Sequence, residues 1–399
     1  MIERACNLLK FISKNKSSFL FGARGTGKTS YIRTLRESSL CDALYLDFLN
    51  NTTFRRYLQD PDLLIAEVDA IVATKGGAAV IIDEVHKVPA ILDTVHLLIE
   101  KHGGKALFIL TGSSARKLKR GGANLLGGRA ITNYMFPLSS IELDINLARC
   151  LQYGSLPGIY LNSELEVENL ESYINSYLRE EVLEEALVRK LETFIRFIEI
   201  AGQMNGEPTN YTALARQCKV SPNTVAEYYS VLQDTLIVHR LDGYDQSIRR
   251  QLLQAPKYYF FDCGVLNAIN GELRSELKPS SFRYGKLFET FIITEIMRIN
   301  SYRNLGLRLH YWRDKAGKEI DLIVSRSTSK PLLAIEIKSF TEPEQLSTFT
   351  LLREDMPKIK RWCLCNTPHR STLDEVTFFP WREGLRELVT QAEADFSLS

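Results

Sequence analysis

Residues Phe19 to Ser30 read FLFGARGTGKTS, a short apolar run passing directly into Gly-x-x-x-x-Gly-Lys-Thr. The spacing is that of a phosphate-binding loop. Gly22, Gly25 and Gly27 permit backbone conformations that aim successive N–H groups at phosphate oxygens, where a side chain would intrude. In such a loop Lys28 reaches the β- and γ-phosphates, and the Thr29 hydroxyl is offered to Mg²⁺. The run Gly22, Ala23, Arg24, Gly25, Thr26, Gly27, Lys28, Thr29, Ser30 is therefore the candidate nucleotide-binding segment.

Hydrolysis needs more than binding: a metal carboxylate and a group that activates water. Residues Ala78 to Glu84 read AAVIIDE, an apolar run of buried-strand length that follows the Lys75-Gly76-Gly77 turn and ends in two acids. Two carboxylates at the end of a buried strand are costly unless a cation meets them. Asp83 fits the Mg²⁺ role and Glu84 the general base. Between loop and acids, Leu63, Leu64, Glu67, Val68 and Ile71 follow a helical pattern.

At 399 residues several domains are expected, and 45% hydrophobic with 25% charged residues is ordinary for a globular protein. A net charge of +2 means that any nucleic-acid contact rests on local patches. The start, MIERACNLLKFISKNK, is too charged for a secretory apolar region, and no segment approaches the length of a membrane span. A cytoplasmic protein is expected. The seven cysteines are scattered and odd in number, so buried free thiols are expected rather than a disulfide framework or, at Cys363 and Cys365, a zinc site.

Residues 106 to 114, ALFILTGSS, read as another buried strand ending in small hydroxyl residues. Ser113, or failing it Ser114, could sense the γ-phosphate or hold the attacking water; capping a following helix is an equally good use of either. A helical stretch then leads to LLGGRAITNYMF, in which Arg129 stands just before the next strand.

The segments GARGTGKTS, IIDEVHKVP, ILTGSSARKL and GGRA followed by FPLSSIE resemble a large family of bacterial and archaeal AAA+-type ATPases. The resemblance continues through YGSLPGIY, YLREEVLEE and YYFFDCGVLNAI, and so covers the chain. It implies an α/β, multidomain protein: a P-loop AAA+ core with a parallel sheet over residues 1–150, a helical lid over 151–190, a winged helix-turn-helix over 191–275, and a C-terminal restriction-endonuclease-like domain over 276–399. It also implies ATP as the nucleotide. In that architecture Arg129 faces a neighbour's nucleotide as an arginine finger, with Arg116 and Arg120 as weaker alternatives; alone, Arg129 reads equally as a surface arginine. Arg179 is a second sensor candidate, although this chain has Glu180-Glu181 where the family more often has Asp-Ile.

Independently of the family, YTALARQCKVSPNTVAEYYSVLQDTLIV reads as two helices about a turn at Val220-Ser221-Pro222, the second capped by Ser221 with Pro222 at its first position. The following residues supply hairpin-like strands for a wing. Arg216, Lys219, Arg249, Arg250 and Lys257 are candidate phosphate contacts. Asn223, Thr224, Glu227 and Tyr228, expected on exposed turns, make the second helix poorly basic, so DNA binding and subunit packing both stay open.

In the C-terminal third, residues 284–299 read as a helix carrying Glu289; RLHYWRD, KEIDLIVS and LLAIEIKS read as three strands, EPEQLSTFTLLRED as a helix and KRWCLCN as one more strand. Glu336 and Lys338, two apart on a strand, share a face, and hairpin pairing brings Asp321 alongside. The order of elements and the Asp-x(n)-Glu-x-Lys spacing resemble the PD-(D/E)XK nuclease motif. Asp321 and Glu336 would bind Mg²⁺, Lys338 would position water or stabilise the phosphorus, and Glu289 would complete the metal shell. The same fold can instead serve binding or assembly without cutting. The resulting expectation is a Mg²⁺-dependent ATPase coupled to a DNA-directed nuclease-like domain. Since Arg129 would act across an interface, a homo-oligomer follows, with a ring as its closed form. The alternative is an oligomeric ATP-dependent switch or scaffold.

Overall fold

The computed structural model describes residues 2–6, 8–113, 126–178, 191–245, 247–251, 254–327, 330–340, 349 and 356–396. Ser114, Arg116, Arg120, Arg179, Glu180 and Glu181 lie outside the described residues, as do 341–348 and 350–355, where a helix was expected. By contact density the chain divides into two compact units, one of residues 1–138, 156–158 and 234–237, the other of 139–155, 159–233 and 238–399.

In the first unit, strands β1 (Ser17–Phe21), β2 (Leu44–Asp47), β3 (Ala78–Asp83), β4 (Ala106–Gly112) and β5 (Ala130–Tyr134) form one sheet in the order β2-β3-β4-β1-β5. Every pairing is parallel. A parallel sheet is covered on both faces, which is why β3 and β4 read as near-continuous apolar runs rather than alternating ones. Helices α1 (Lys28–Ser38), α2 (Leu63–Lys75) and α3 (Ile91–His102) follow β1, β2 and β3 respectively. Val80, Ile82, Phe108 and Leu110 from the sheet pack with Leu64, Val68, Val95 and Leu98 from α2 and α3 in one core. Each such side chain removed from water contributes about 1.5–3 kcal/mol. The strand order has a consequence for the site: β4 lies between β1 and β3, so its carboxyl end falls between the glycine loop and the acidic pair.

In the second unit, α4 (Leu147–Tyr153) precedes helices α5 (Leu191–Gln203), α6 (Tyr211–Cys218) and α7 (Pro222–Asp234) and an antiparallel hairpin of β6 (Val238–Gly243) and β7 (Lys257–Phe260). Pro222 is the first residue of α7, and Ser221 Oγ accepts the Thr224 N–H at 3.1 Å. Helices α8 (Cys263–Ile269) and α9 (Phe282–Arg303) follow, then β8 (Arg308–Arg313), β9 (Glu319–Ser327), β10 (Lys330–Lys338), β11 (Lys360–Cys365), β12 (Ser371–Leu373), β13 (Val376–Pro380) and α10 (Trp381–Phe396). Strands β8, β9 and β10 pair antiparallel and β10 pairs β11 parallel. The hairpin joins this sheet through Asp242 opposite His310, giving the order β12-β13-β11-β10-β9-β8-β6-β7.

Three expectations are corrected. Tyr228 is buried, with its ring centroid 5.0 Å from Phe194 and 5.2 Å from Phe197, because α7 packs its aromatic face on α5. Lys257 is buried against Glu319 at 3.2 Å and is not available to a phosphate. Cys41 is exposed, although the other six thiols are buried; none of the seven is joined in a disulfide.

Candidate functional site

The glycine loop is shaped by two requirements that exclude side chains. A Cβ on Gly22 would sit 2.4 Å from the Met135 carbonyl oxygen and 2.8 Å from Thr26 Oγ1. Gly25 and Gly27 have φ of 83° and 93°, a region open to glycine and strained for other residues. The loop is braced from outside by Arg4, whose Nη1 donates to the Thr26 carbonyl and Nη2 to the Phe136 carbonyl, both at 2.7 Å. Nothing in the local sequence marks Arg4; its role needs the fold. The Lys28 ammonium is buried and donates to the carbonyls of Gly22 at 2.7 Å and Ala23 at 3.3 Å. Thr29 and Ser30, in the first turn of α1, are exposed, as are Arg24 and Gly25. With the amino end of α1 behind it, this cradle fits the phosphates of a nucleotide. Lys28 would meet their charge, and the exposed Thr29 hydroxyl would serve a bound Mg²⁺.

At the end of β3, Asp83 is fully buried. Thr111 Oγ1 on β4 donates to Asp83 Oδ1, and the Tyr45 hydroxyl on β2 donates to Oδ2 at 3.1 Å. The neighbouring residue, Glu84, adopts φ 58° and ψ 47°, a left-handed conformation that costs a non-glycine residue about 1 kcal/mol or more. Its N–H is fixed by Thr111 Oγ1 at 3.2 Å. Its carboxylate lies 3.1 Å from His86 Nδ1, close but outside hydrogen-bond alignment. Burial pushes the Glu84 carboxyl up, yet His86, Lys28 and Arg24 together hold it below the ordinary range, so it stays ionised. Thr111, Tyr45 and His86 were not legible as site residues in the sequence. The nearest signal was that Thr111 comes directly before Gly-Ser-Ser in the sequence. Ser113 is buried just beyond that strand.

Arg129 stands at the other edge of the sheet. Ala130 is level with Ser17 at the start of β1, whereas Tyr134 is level with Phe21 at the loop end. The Arg129 guanidinium is paired with Glu100 of α3 at 2.5 Å and is partly exposed.

Residues 14–143 match the AAA domain family. The matched segment holds the loop, the buried Asp83 and the parallel sheet, and is similar in these to AAA-type P-loop domains. Beyond the AAA domain, residues 145–276 match a domain of unknown function (DUF8612) and residues 284–383 another (DUF4143). An uncharacterized protein of Mycobacterium tuberculosis is 24% identical over 352 residues, covering 86% of this chain and 75% of the relative. An uncharacterized protein of Haemophilus influenzae is 23% identical over 255 residues, covering 59% of this chain and 60% of its own. A solved Walker-type ATPase of Pyrococcus abyssi aligns at 13% identity and TM-score 0.45, over 66% of this chain and 93% of that one. Among the described residues no helix is long and apolar enough to cross a membrane.

The second unit gathers its own charged cluster. Asp321 on β9 and Glu336 on β10 are both buried, and Lys338 Nζ lies 2.7 Å from Glu336 Oε2 and 3.7 Å from Asp321 Oδ2. Asp321 Oδ2 also accepts the Ile337 N–H at 2.7 Å. Glu289 on α9 accepts from the Tyr259 hydroxyl at 2.8 Å, and Lys286 Nζ is 3.9 Å from its other oxygen. Burial and the Asp321 charge push the Glu336 carboxyl up to about 8 and raise that of Glu289. The four sequence-predicted residues are thus brought into one electrostatic cluster. Glu336 Oε1 is buried without a hydrogen-bond partner among the described residues, an orphan that a cation would satisfy. Against that, no three acidic, imidazole or thiol groups among the described residues converge as a metal cage.

A buried network on the same helix has no local signal in the sequence. Glu295 and Arg298 are paired at 3.0 Å and almost fully buried. Glu295 Oε2 accepts from the Ser139 hydroxyl at 3.0 Å and from the Ser140 N–H at 2.8 Å; Arg298 donates to Ser155 Oγ at 3.2 Å and to the Phe261 carbonyl at 2.6 Å. Asp262 caps α8 and accepts the Ser155 N–H at 2.7 Å. Parts of FPLSSIE, YGSLPGIY and YYFFDCGVLNAI therefore meet in one place.

Proposed function

We propose that this chain is a Mg²⁺-dependent ATPase whose nucleotide state is coupled to a DNA-directed, nuclease-like C-terminal region. On this reading residues 151–190 act as lid, 191–275 as winged helix and 276–399 as a restriction-endonuclease-like domain. Bound Mg²⁺ supplies charge neutralisation at the phosphates. Lys28 binds the phosphates, Glu84 accepts a hydrogen bond from water and aims it, and Thr111 keeps Asp83 and Glu84 in register. On this reading Ser113 senses the γ-phosphate. Arg129, at the far edge of its own sheet, would supply its charge to a neighbouring copy, which makes the working form a homo-oligomer.

The single observation that carries the nuclease-like half is the convergence of Asp321, Glu336, Lys338 and Glu289 on three elements, with Glu336 Oε1 left unpaired. The chemistry of phosphodiester hydrolysis asks for such carboxylates and a lysine. A second reading has its own support: Lys338 already neutralises Asp321 and Glu336, as in a structural ion cluster serving assembly. End-labelled single- and double-stranded DNA, incubated with ATP and Mg²⁺ or Mn²⁺, separates the two. Cleavage by wild type that Lys338→Ala loses supports the first reading. ATP turnover with every substrate intact across both metals supports the second.

A further inference from the structure

We propose that Phe282 and Phe340 form a stacking platform for unpaired bases of a single-stranded nucleic acid, flanking the Asp321, Glu336 and Lys338 cluster. The inference rests on the nucleic-acid reading above and names its substrate class. Phe282, the first residue of α9, is 82% exposed, and Phe340, two residues beyond Lys338, is 54% exposed. Single exposed apolar residues are ordinary; two phenyl rings held out beside one charged cluster are not. The segments that carry them are adjacent. A Cβ on Gly285 would lie 3.8 Å from Ser339 Oγ, and the Tyr284 ring centroid is 6.3 Å from that of Phe340. The Phe282 ring does not sit on a frayed end, because Ser281 Oγ caps α9 by accepting the Tyr284 N–H at 3.2 Å.

Phe282, Lys286 and Glu289 follow one face of α9 at helical spacing. Lys286 Nζ lies 5.7 Å from the Phe282 ring centroid and 3.9 Å from Glu289. Ring, cation and carboxylate thus follow in order along α9, the Glu289 carboxyl feels the Asp321 charge, and Phe340 follows Lys338, the last residue of β10, by two positions. A base stacked on Phe282 would place its phosphate near Lys286, whose ammonium also pairs with Glu207 and Glu289. The face of a base is open to a phenyl ring only where it is unpaired, so the arrangement selects single strands and frayed ends over intact duplex.

The test is fluorescence anisotropy with the full chain, Ca²⁺ replacing Mg²⁺, and labelled oligothymidylate, oligouridylate and a duplex, each about 12 nucleotides long. Phe282→Ala, Phe340→Ala, their double variant and Phe282→Trp are compared with wild type, with thermal melting as the folding control. Single-strand affinity should fall about tenfold per ring removed and return with Trp, while duplex affinity stays within about twofold. The DNA and RNA arms report which backbone is taken. Equal losses on single strand and duplex, or unchanged single-strand affinity in the double variant, overturn the platform alone. A wild type that binds no nucleic acid at all overturns it together with the reading it rests on.

Discussion

Thr111 and Asp83 are joined across neighbouring strands by the Thr111 hydroxyl, and the same oxygen fixes the backbone N–H of Glu84 at 3.2 Å. One side chain on β4 therefore sets the position of both acids at the end of β3. Thr111→Val keeps the shape but leaves a buried carboxylate oxygen and a buried N–H unpaired. We expect a loss of about 1–3 kcal/mol of stability and slower ATP turnover with nucleotide affinity retained. Thermal melting and steady-state ATPase measurements check the pair of effects.

Binding and hydrolysis should separate between Lys28 and Glu84. Lys28→Ala removes the charge that meets the phosphates and should abolish nucleotide binding by calorimetry. Glu84→Gln keeps size and hydrogen-bonding reach while losing the carboxylate. It should bind ATP as wild type does and turn it over about 10²–10⁴-fold more slowly.

Arg129 has a structural partner in Glu100, but a partly exposed pair contributes only about 0–1 kcal/mol. Arg129→Ala should therefore melt like wild type. If the arginine acts on a neighbour, mixing Arg129→Ala with Lys28→Ala chains should restore part of the turnover that each has lost; no recovery in the mixture would leave Arg129 a surface residue.

The network around Glu295 and Arg298 should be costly to break. Arg298→Met strands a buried carboxylate, and the loss should reach about 3–5 kcal/mol. Gly264→Ala should act at the same place by a different route, because its Cβ would lie 2.2 Å from the Tyr153 carbonyl oxygen. A melt of Arg298→Met within a degree of wild type would remove this network from the account of stability.

His239 gives a pH signature. Burial, then the Arg298 charge, lowers its pKa from 6.5 to about 4. The folded state thus refuses a proton that the unfolded chain accepts. Its stability is fully present above pH 6.5 and falls as pH drops toward 4. Denaturant titrations at several pH values should show that decline, and His239→Phe should flatten it.

Much of the candidate nucleotide site was legible because its chemistry is local: the glycines, Lys28, Asp83 and Glu84 each sit in a short run with its own strand or helix signal. The strand order was not, since inserting β4 between β1 and β3 is a long-range pairing. Thr111 and Tyr45 became visible only with it. Lys257 and Tyr228 misled for a related reason: a lysine at the start of a strand and a tyrosine on a helix look like surface, and only Glu319 and the Phe194–Phe197 face show them buried. Glu295 and Arg298, three apart on a helix, carry no local sign of burial, and only Ser139, Ser140 and Ser155 placed against them show it. At the second cluster the Glu336–Lys338 spacing and the Asp321 hairpin were both readable, because a strand's period of two fixes which side chains share a face.

The coupling of nucleotide state to the Asp321–Glu336–Lys338 cluster is the central claim. Its most direct measurement is the rate of cleavage of labelled single-stranded DNA by wild type with ATP, by wild type without nucleotide, and by Glu84→Gln with ATP, all in Mg²⁺. The account predicts that cleavage changes several-fold between the first two conditions and that Glu84→Gln departs from wild type although its second unit is untouched. Equal cleavage rates in all three would contradict it.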